Sequence, residues 1–376
     1  MWRTFKTYNA DDLSNETWSD FHGLRADQKT YESGFFDPDF ARLLAQVRND
    51  VSVAIAEDEK GLLAYWPMHI GMGKWARAIG FPFGDLNGPV VRSGETVDIP
   101  EYLQGANIAG FKTSGLTLCE QVSVNPDAIV NTNITNLQEG WSPFIAQQTQ
   151  FYPKFFKQIA RLGRKLDKEH SEVVFTFDDK CAEIFHQLIT MKRQQYARTK
   201  LHDVLRPSWV KKMLDMLRHG ECNNINTILS TLRVDGQLVA AEFNMQSGNL
   251  LHGWLTAYNP EFSKYSPGLL LTQHIIKAMP QHGLTVYDAG PGNAHYKKYF
   301  TNQLSPLGQG SIFAKTKVIN PIGIMGASWS FIEAQAPAAI SNNLARIRRR
   351  SDQILGTETK FRQQILGFSK AAIPFL

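Results

Sequence analysis

Cysteine is scarce. Cys119, Cys181 and Cys222 are the only three in 376 residues, and none lies in a CxxC or beside a histidine at metal-ligand spacing. That speaks against a disulfide framework and against a structural zinc site, and it favours a reducing cytoplasm. Long apolar runs are missing too. The nearest, "PIGIMGASWSFI" from Pro321, is too short to span a bilayer. The polar opening "MWRTFKTYNADDLSNETW" lacks the apolar core of a signal peptide. Charge of one sign is modest: a formal net charge of +5 and 20% charged residues admit an anionic ligand or a membrane surface without calling for nucleic acid. Nor are aromatic residues interleaved with the basic ones, as single-stranded nucleic-acid binding requires.

What is present describes a soluble globular chain, 43% hydrophobic and longer than one core usually serves. The reading divides it into an N-terminal lobe over 1–150, a second lobe over 151–330 and a basic helical tail over 331–376. "FDPDFARLLAQVRND" reads as a helix, and "VSVAIAEDEKGLLAYWPMHI" as strand, turn, strand. "KFFKQIARLGRKLDKEH" is an amphipathic basic helix. "AEIFHQLITMKRQQYARTK" and "PSWVKKMLDMLRHG" follow as helices. A meander comes next, "NTILSTLRVDG", "QLVAAEFNMQSG" and "NLLHGWLTAYNP", with turns at Asp235-Gly236 and Ser247-Gly248. The two halves share an order of elements while hardly sharing residues, which predicts a structural repeat. Only the second half carries Ser-Pro-Gly at a helix start.

That Ser-Pro-Gly, in "KYSPGLLLTQHII", admits two readings. Ser266 can simply cap an apolar helix, with Pro267 in the first turn. Alternatively, the first turn offers unpartnered N–H groups and a positive dipole end to a phosphate, with Gly268 letting the anion approach.

The order of meander, glycine-led helix, strand and then a tyrosine on a short helix resembles the GNAT acyltransferase fold. "AAEFNMQSGNLLHGWLTAYNPEFSKYSPGLLL", "YDAGPGNAHYKKYF" and "LGRKLDKE" together are similar to the CelD-type acetyltransferases, GNAT-like bacterial proteins associated with cellulose and other exopolysaccharide biosynthesis. The resemblance covers most of residues 30–315. The usual Gln/Arg-x-x-Gly-x-Gly/Ala signature of general acetyltransferases is absent. The resemblance implies an α/β fold with mixed sheets: tandem GNAT-like acyl-CoA N-acyltransferase folds, packed as in the FemAB-type transferases, with a helical C-terminal tail. It also implies acetyl-CoA or another acyl-CoA as donor and no metal. Tyr265, Ser266, Pro267, Gly268, Leu269 and Leu270 would hold the pyrophosphate. Asn293, Tyr296 and Phe300 match the family's Asn then Tyr-x-x-x-Phe.

For acyl transfer, Tyr296 is the candidate acid that protonates the departing thiolate. Lys297, its neighbour, suits a phosphate or plain solvent. Asp288 can take a substrate proton or tie down the Gly290–Gly292 loop. Alternation puts Glu242 on a polar face with Ala240 and Asn244, where burial would make it a base. His252 is a base at neutral pH or a structural donor. Arg164 and Lys165 can meet the 3′-phosphate of CoA. Lys192, Gln195, Tyr196 and Arg198 form a second polar cluster that can border the acceptor site.

Three functions follow. The first is an acyl-CoA-dependent acyltransferase acting on a hydroxyl or amine of a sugar or polysaccharide precursor. The second is a FemAB-like transferase that uses aminoacyl-tRNA on a cell-wall precursor. The third is a non-catalytic GNAT-like partner of a polysaccharide synthase. A cytoplasmic location fits all three, as does a peripheral contact with the inner membrane face through the arginine-rich tail.

Overall fold

A computed structural model describes residues 3–26, 28–292, 294–315, 338–358 and 364. The chain divides into two compact units: residues 1–130, 201–222 and 306–376 in the first, 131–200 and 223–305 in the second. Neither is continuous in sequence, which a linear division at 150 and 330 does not express.

In the first unit the sheet runs Thr4–Asn9, Val51–Asp58, Gly61–Ile70, Trp75–Ala78, Gly110–Thr117 and then Gln303–Phe313. The first three pairings are antiparallel, Trp75–Ala78 meets Gly110–Thr117 in parallel, and the last pairing is antiparallel again. Parallel neighbours need a crossover, which the helix Ile99–Gly105 supplies. Helix Ser208–Arg218, read in sequence as part of the second lobe, belongs to the first: Trp209 packs edge-on against Phe83, and Arg48 lies over its ring. The helix Ala338–Thr357 lies in the same unit, where Asp352 pairs with Lys112 at 2.7 Å and Arg350 is buried. Its arginines are thus not all presented to a membrane or partner. The side chains of Arg346 and Arg349 lie outside the described residues.

The second unit contains, in chain order, β1 (Ala128–Asn136), α1 (Trp141–Phe151), α2 (Pro153–Glu169), β2 (Val173–Thr176), α3 (Ala182–Arg198), β3 (Asn226–Val234), β4 (Gln237–Ser247), β5 (Leu250–Tyr258), α4 (Pro267–Ala278), β6 (Val286–Pro291) and α5 (Lys297–Phe300). Its sheet order is β2, β3, β4, β5, β6, β1. The pairings repeat those of the first unit: three antiparallel, one parallel between β5 and β6, one antiparallel. The repeat read from the sequence is therefore a repeat of topology, with an exchange. The sixth strand of each sheet is supplied by chain that follows the other unit's first five strands.

Local chemistry explains the meander. Asp235 and Gly236 both take positive φ, the requirement of a tight hairpin turn. The Asp235 carboxylate also accepts from the Ser171 and Glu172 N–H groups and contacts His170, pinning the start of β2 to this turn. Helix α2 buries Phe156, Ile159, Leu162 and Leu166 on one face, each contributing about 1.5–3 kcal/mol if wholly buried. Its lysines and arginines line the exposed face. Among the described residues no helix is long and apolar enough to cross a membrane.

Candidate active site

Strands β5 and β6 pair over only three positions, Leu250 with Val286, Leu251 with Tyr287 and His252 with Asp288. Beyond His252 strand β5 continues to Tyr258, without β6 as a ladder partner. The register of β5 against β4 slips there as well: Asn244 faces Gly253 and Phe243 faces Leu255, leaving Trp254 as the extra residue of a bulge. The strands therefore part at His252 and Asp288, and helix α4 begins after the far end of β5.

The start of α4 differs from the sequence expectation in detail. Ser266 sits at φ 53°, ψ 54°, a left-handed conformation, and its side chain caps nothing. Its N–H goes to the Ser263 carbonyl, and its own carbonyl accepts from the Leu269 and Leu270 N–H groups. Pro267 has no N–H. The first turn thus presents one amide, that of Gly268, without a protein acceptor among the described residues, rather than a fan of several. A Cβ at Gly268 would meet only Tyr258 Cδ1, at 3.9 Å, so the space beside this amide is open. The side chains of Tyr265, Pro267 and Leu270 are turned into the core, and the Tyr265 hydroxyl bonds Glu169 and contacts His170. Leu269 and Ser266 are half-buried.

The equivalent helix of the first unit, Ile99–Gly105, begins differently. Asp98 caps it, its carboxylate accepting from the Glu101 N–H at 2.9 Å. A built-in carboxylate there takes the place an anion would occupy and repels one.

Arg164 and Lys165 are exposed on α2. Gly163 beside them faces α4, where a Cβ would make ordinary contact with Leu270 at 3.7 Å. Lys165 faces Glu169 at 3.7 Å and the Tyr265 ring.

Around the parting strands, buried polar groups converge. Glu242, 2% exposed, accepts from the Tyr287 hydroxyl at 2.8 Å and the Thr256 hydroxyl at 2.9 Å. Burial raises its pKa, against the pull of those two hydrogen bonds and of the His252 and Lys192 charges. Ala240, Glu242 and Asn244 do not form a polar surface; all are buried, because this central strand is covered on both faces. Lys192, on α3, donates to the Thr256 carbonyl at 2.9 Å, with its pKa lowered by burial and supported by Glu242. Tyr296 is 37% exposed. Burial, then the Glu242 charge, pushes its hydroxyl up to about 12, so it holds its proton at neutral pH.

His252 and Asp288 are both buried, Nδ1 lying 3.6 Å from Oδ2. Asp288 also accepts from the Thr132 hydroxyl and, at 2.8 Å, from the Gly290 N–H. Burial works against its charge, but His252 and these donors outweigh it and hold the carboxyl below its ordinary value. Of the two sequence readings of Asp288, the loop tie is the one with visible bonds. Lys297 serves the same loop: its ammonium donates to the Gly290 and Pro291 carbonyls at 3.1 and 2.8 Å. Asn293 lies outside the described residues. Sequence reasoning passed over Tyr287, Thr256, Thr132 and Gly253. A tyrosine in "VYDAG" next to Asp288 was the available signal for the first. A polar cavity of about 550 Å³ opens elsewhere in this unit, by Asn136, Gln138, Glu139 and Asn302, at the end of β1 beyond Thr132.

Residues 153–298 match the family model described as an acetyltransferase (GNAT) domain. Among solved structures the chain is similar to FemX, at 9% identity over 84% of this chain and 98% of that one, with a TM-score of 0.50. It is also similar to a tandem GNAT protein from the clavulanic acid biosynthesis pathway, at 10% identity over 84% and 99%, with a TM-score of 0.47. No curated protein matches the sequence. The fold is thus mixed α/β, as the sequence led one to expect, and the stretch similar to the GNAT domain model falls mostly in the second unit.

Proposed function

We propose that this chain is an acyl-CoA-dependent acyltransferase of the CelD type, moving an acetyl or similar acyl group to a hydroxyl or amine of a sugar or polysaccharide precursor. The observation that carries the reading is the contrast between the two crossover helices. One is closed by the Asp98 carboxylate; the other leaves the Gly268 amide open beside parted strands. The second unit holds the donor. The Gly268 amide and the dipole of α4 meet its pyrophosphate, and Arg164 and Lys165 lie on the neighbouring helix for the 3′-phosphate.

The chemistry then runs on named groups. Glu242, kept basic by burial, receives the acceptor's proton as the nucleophile attacks the thioester carbonyl. The Tyr296 hydroxyl returns a proton to the leaving thiolate, a group of pKa about 8.5. His252 and Asp288 hold the strands at the point where they part, positioning the donor.

Calorimetry with acetyl-CoA tests this. We expect micromolar binding that Gly268→Glu abolishes, because a carboxylate then fills the anion's place. Binding to aminoacyl-tRNA with none to any acyl-CoA overturns the reading, and so does binding to neither.

A further inference from the structure

Lys192, half-buried on α3, has no role in the chemistry proposed above. It reaches from α3 to the backbone carbonyl of Thr256, and the Thr256 hydroxyl in turn bonds Glu242. A single residue thus links the lysine and the carboxylate through its two polar ends. Glu242 is also faced by Tyr287 from β6, by His252 from β5 and by Tyr296 ahead of α5. Its register partner on β3, Ser230, directs its hydroxyl instead to the Phe177 carbonyl at 2.7 Å. Of these groups only Lys192 carries a positive charge whatever the state of His252, and the charges of Lys192 and Glu242 support each other. Burial disfavours the carboxylate form, and hydroxyl donors and a nearby positive charge both favour it.

We infer that Lys192 is a positioning residue: its ammonium, anchored on the Thr256 carbonyl whose residue also bonds Glu242, is a counter-charge that favours the carboxylate form of Glu242, the form able to accept the acceptor's proton. The role in catalysis rests on the acyltransferase reading; the charge coupling itself does not. Lys192 makes no contact with the reacting atoms and acts through Glu242.

The test is a titration of the ligand-free protein. Infrared difference spectra of protein with isotope-labelled glutamate identify the protonated Glu242 band by its loss in Glu242→Gln. In Lys192→Met the midpoint of that band is expected to move to higher pH by about one unit, a tenfold change in proton affinity. Lys192→Arg restores it. A tie that merely fastens α3 to β5 predicts an unmoved midpoint, and that result overturns the proposal.

Should Lys192→Met fail to fold, the reciprocal measurement decides. Coupling is mutual, so the Lys192 side-chain titration, followed by NMR in Glu242→Gln, must fall to lower pH than in the native chain. No displacement overturns the proposal equally. Acetyl-CoA calorimetry on the same samples separates the two ideas. Absent binding with coupled titrations removes only the acyltransferase reading. Intact binding with uncoupled titrations removes only the role of Lys192.

Discussion

The Tyr287 hydroxyl occupies the space that a side chain at Gly253 would need. A Cβ built there would stand 2.3 Å from that oxygen and 2.8 Å from Cζ. Glycine at this position, at the start of the bulge, is what allows Tyr287 to reach Glu242.

Gly253→Ala is therefore expected to displace Tyr287 and destabilise the protein by about 1–3 kcal/mol. In a Tyr287→Phe background the nearest atom is gone, so the same substitution should cost distinctly less. Urea denaturation of the two single variants and the double variant measures the difference, and equal costs would refute the steric account.

Glu242 gives a pH signature. Its folded pKa lies above its ordinary value of 4.5, so the native state holds the extra proton. Stability then declines as pH rises from that value through the folded pKa. Glu242→Gln removes the titration. The variant should gain on the native chain with rising pH, by at most about 1.4 kcal/mol per unit across that window. Chemical denaturation at a series of pH values checks the sign; a gap that is flat with pH would contradict it.

Asp288 has the opposite sign. Its folded pKa lies below its ordinary value of 3.8, so its contribution is present above that value and lost as pH falls through the folded pKa. Asp288→Asn can keep an acceptor for Thr132 and Gly290 while removing the charge beside His252. A loss of about 3 kcal/mol at neutral pH is expected, shrinking in acid. Thermal unfolding at pH 7 and pH 3 distinguishes this from a loss that ignores pH.

Tyr296→Phe separates chemistry from binding. Acetyl-CoA affinity by calorimetry should stay within about twofold, while thiol release in the presence of an active acceptor should fall by about 10²–10⁴ if the hydroxyl is the acid. An unchanged rate would assign the tyrosine to packing.

Much of the fold was legible because its signals are local. Asp235-Gly236 marked a hairpin, the apolar stripe of Phe156, Ile159, Leu162 and Leu166 marked a helix, and Ser-Pro-Gly marked a helix start. What was not legible depends on partners remote in sequence. Helix Ser208–Arg218 reads like its neighbours, yet Trp209 belongs with Phe83 in the other unit. Tyr265 and Leu270 look like part of a ligand motif, and only packing shows them turned inward. Glu242 was found for a partly mistaken reason: alternation was read as an exposed polar face, whereas both faces of β4 are covered. The lysine at Lys297 looked free for a phosphate because the loop carbonyls that claim it cannot be foreseen from residue types.

The exchange of sixth strands orders events on the ribosome. The second unit has all its residues once Ser305 has emerged, whereas the first, begun earlier, still lacks the segment from Pro306 onward. Until then the strand Gly110–Thr117 waits with a bare edge meant for Gln303–Phe313. The half of the protein made first must be the last to finish, and during that interval it is the half a chaperone has most reason to hold.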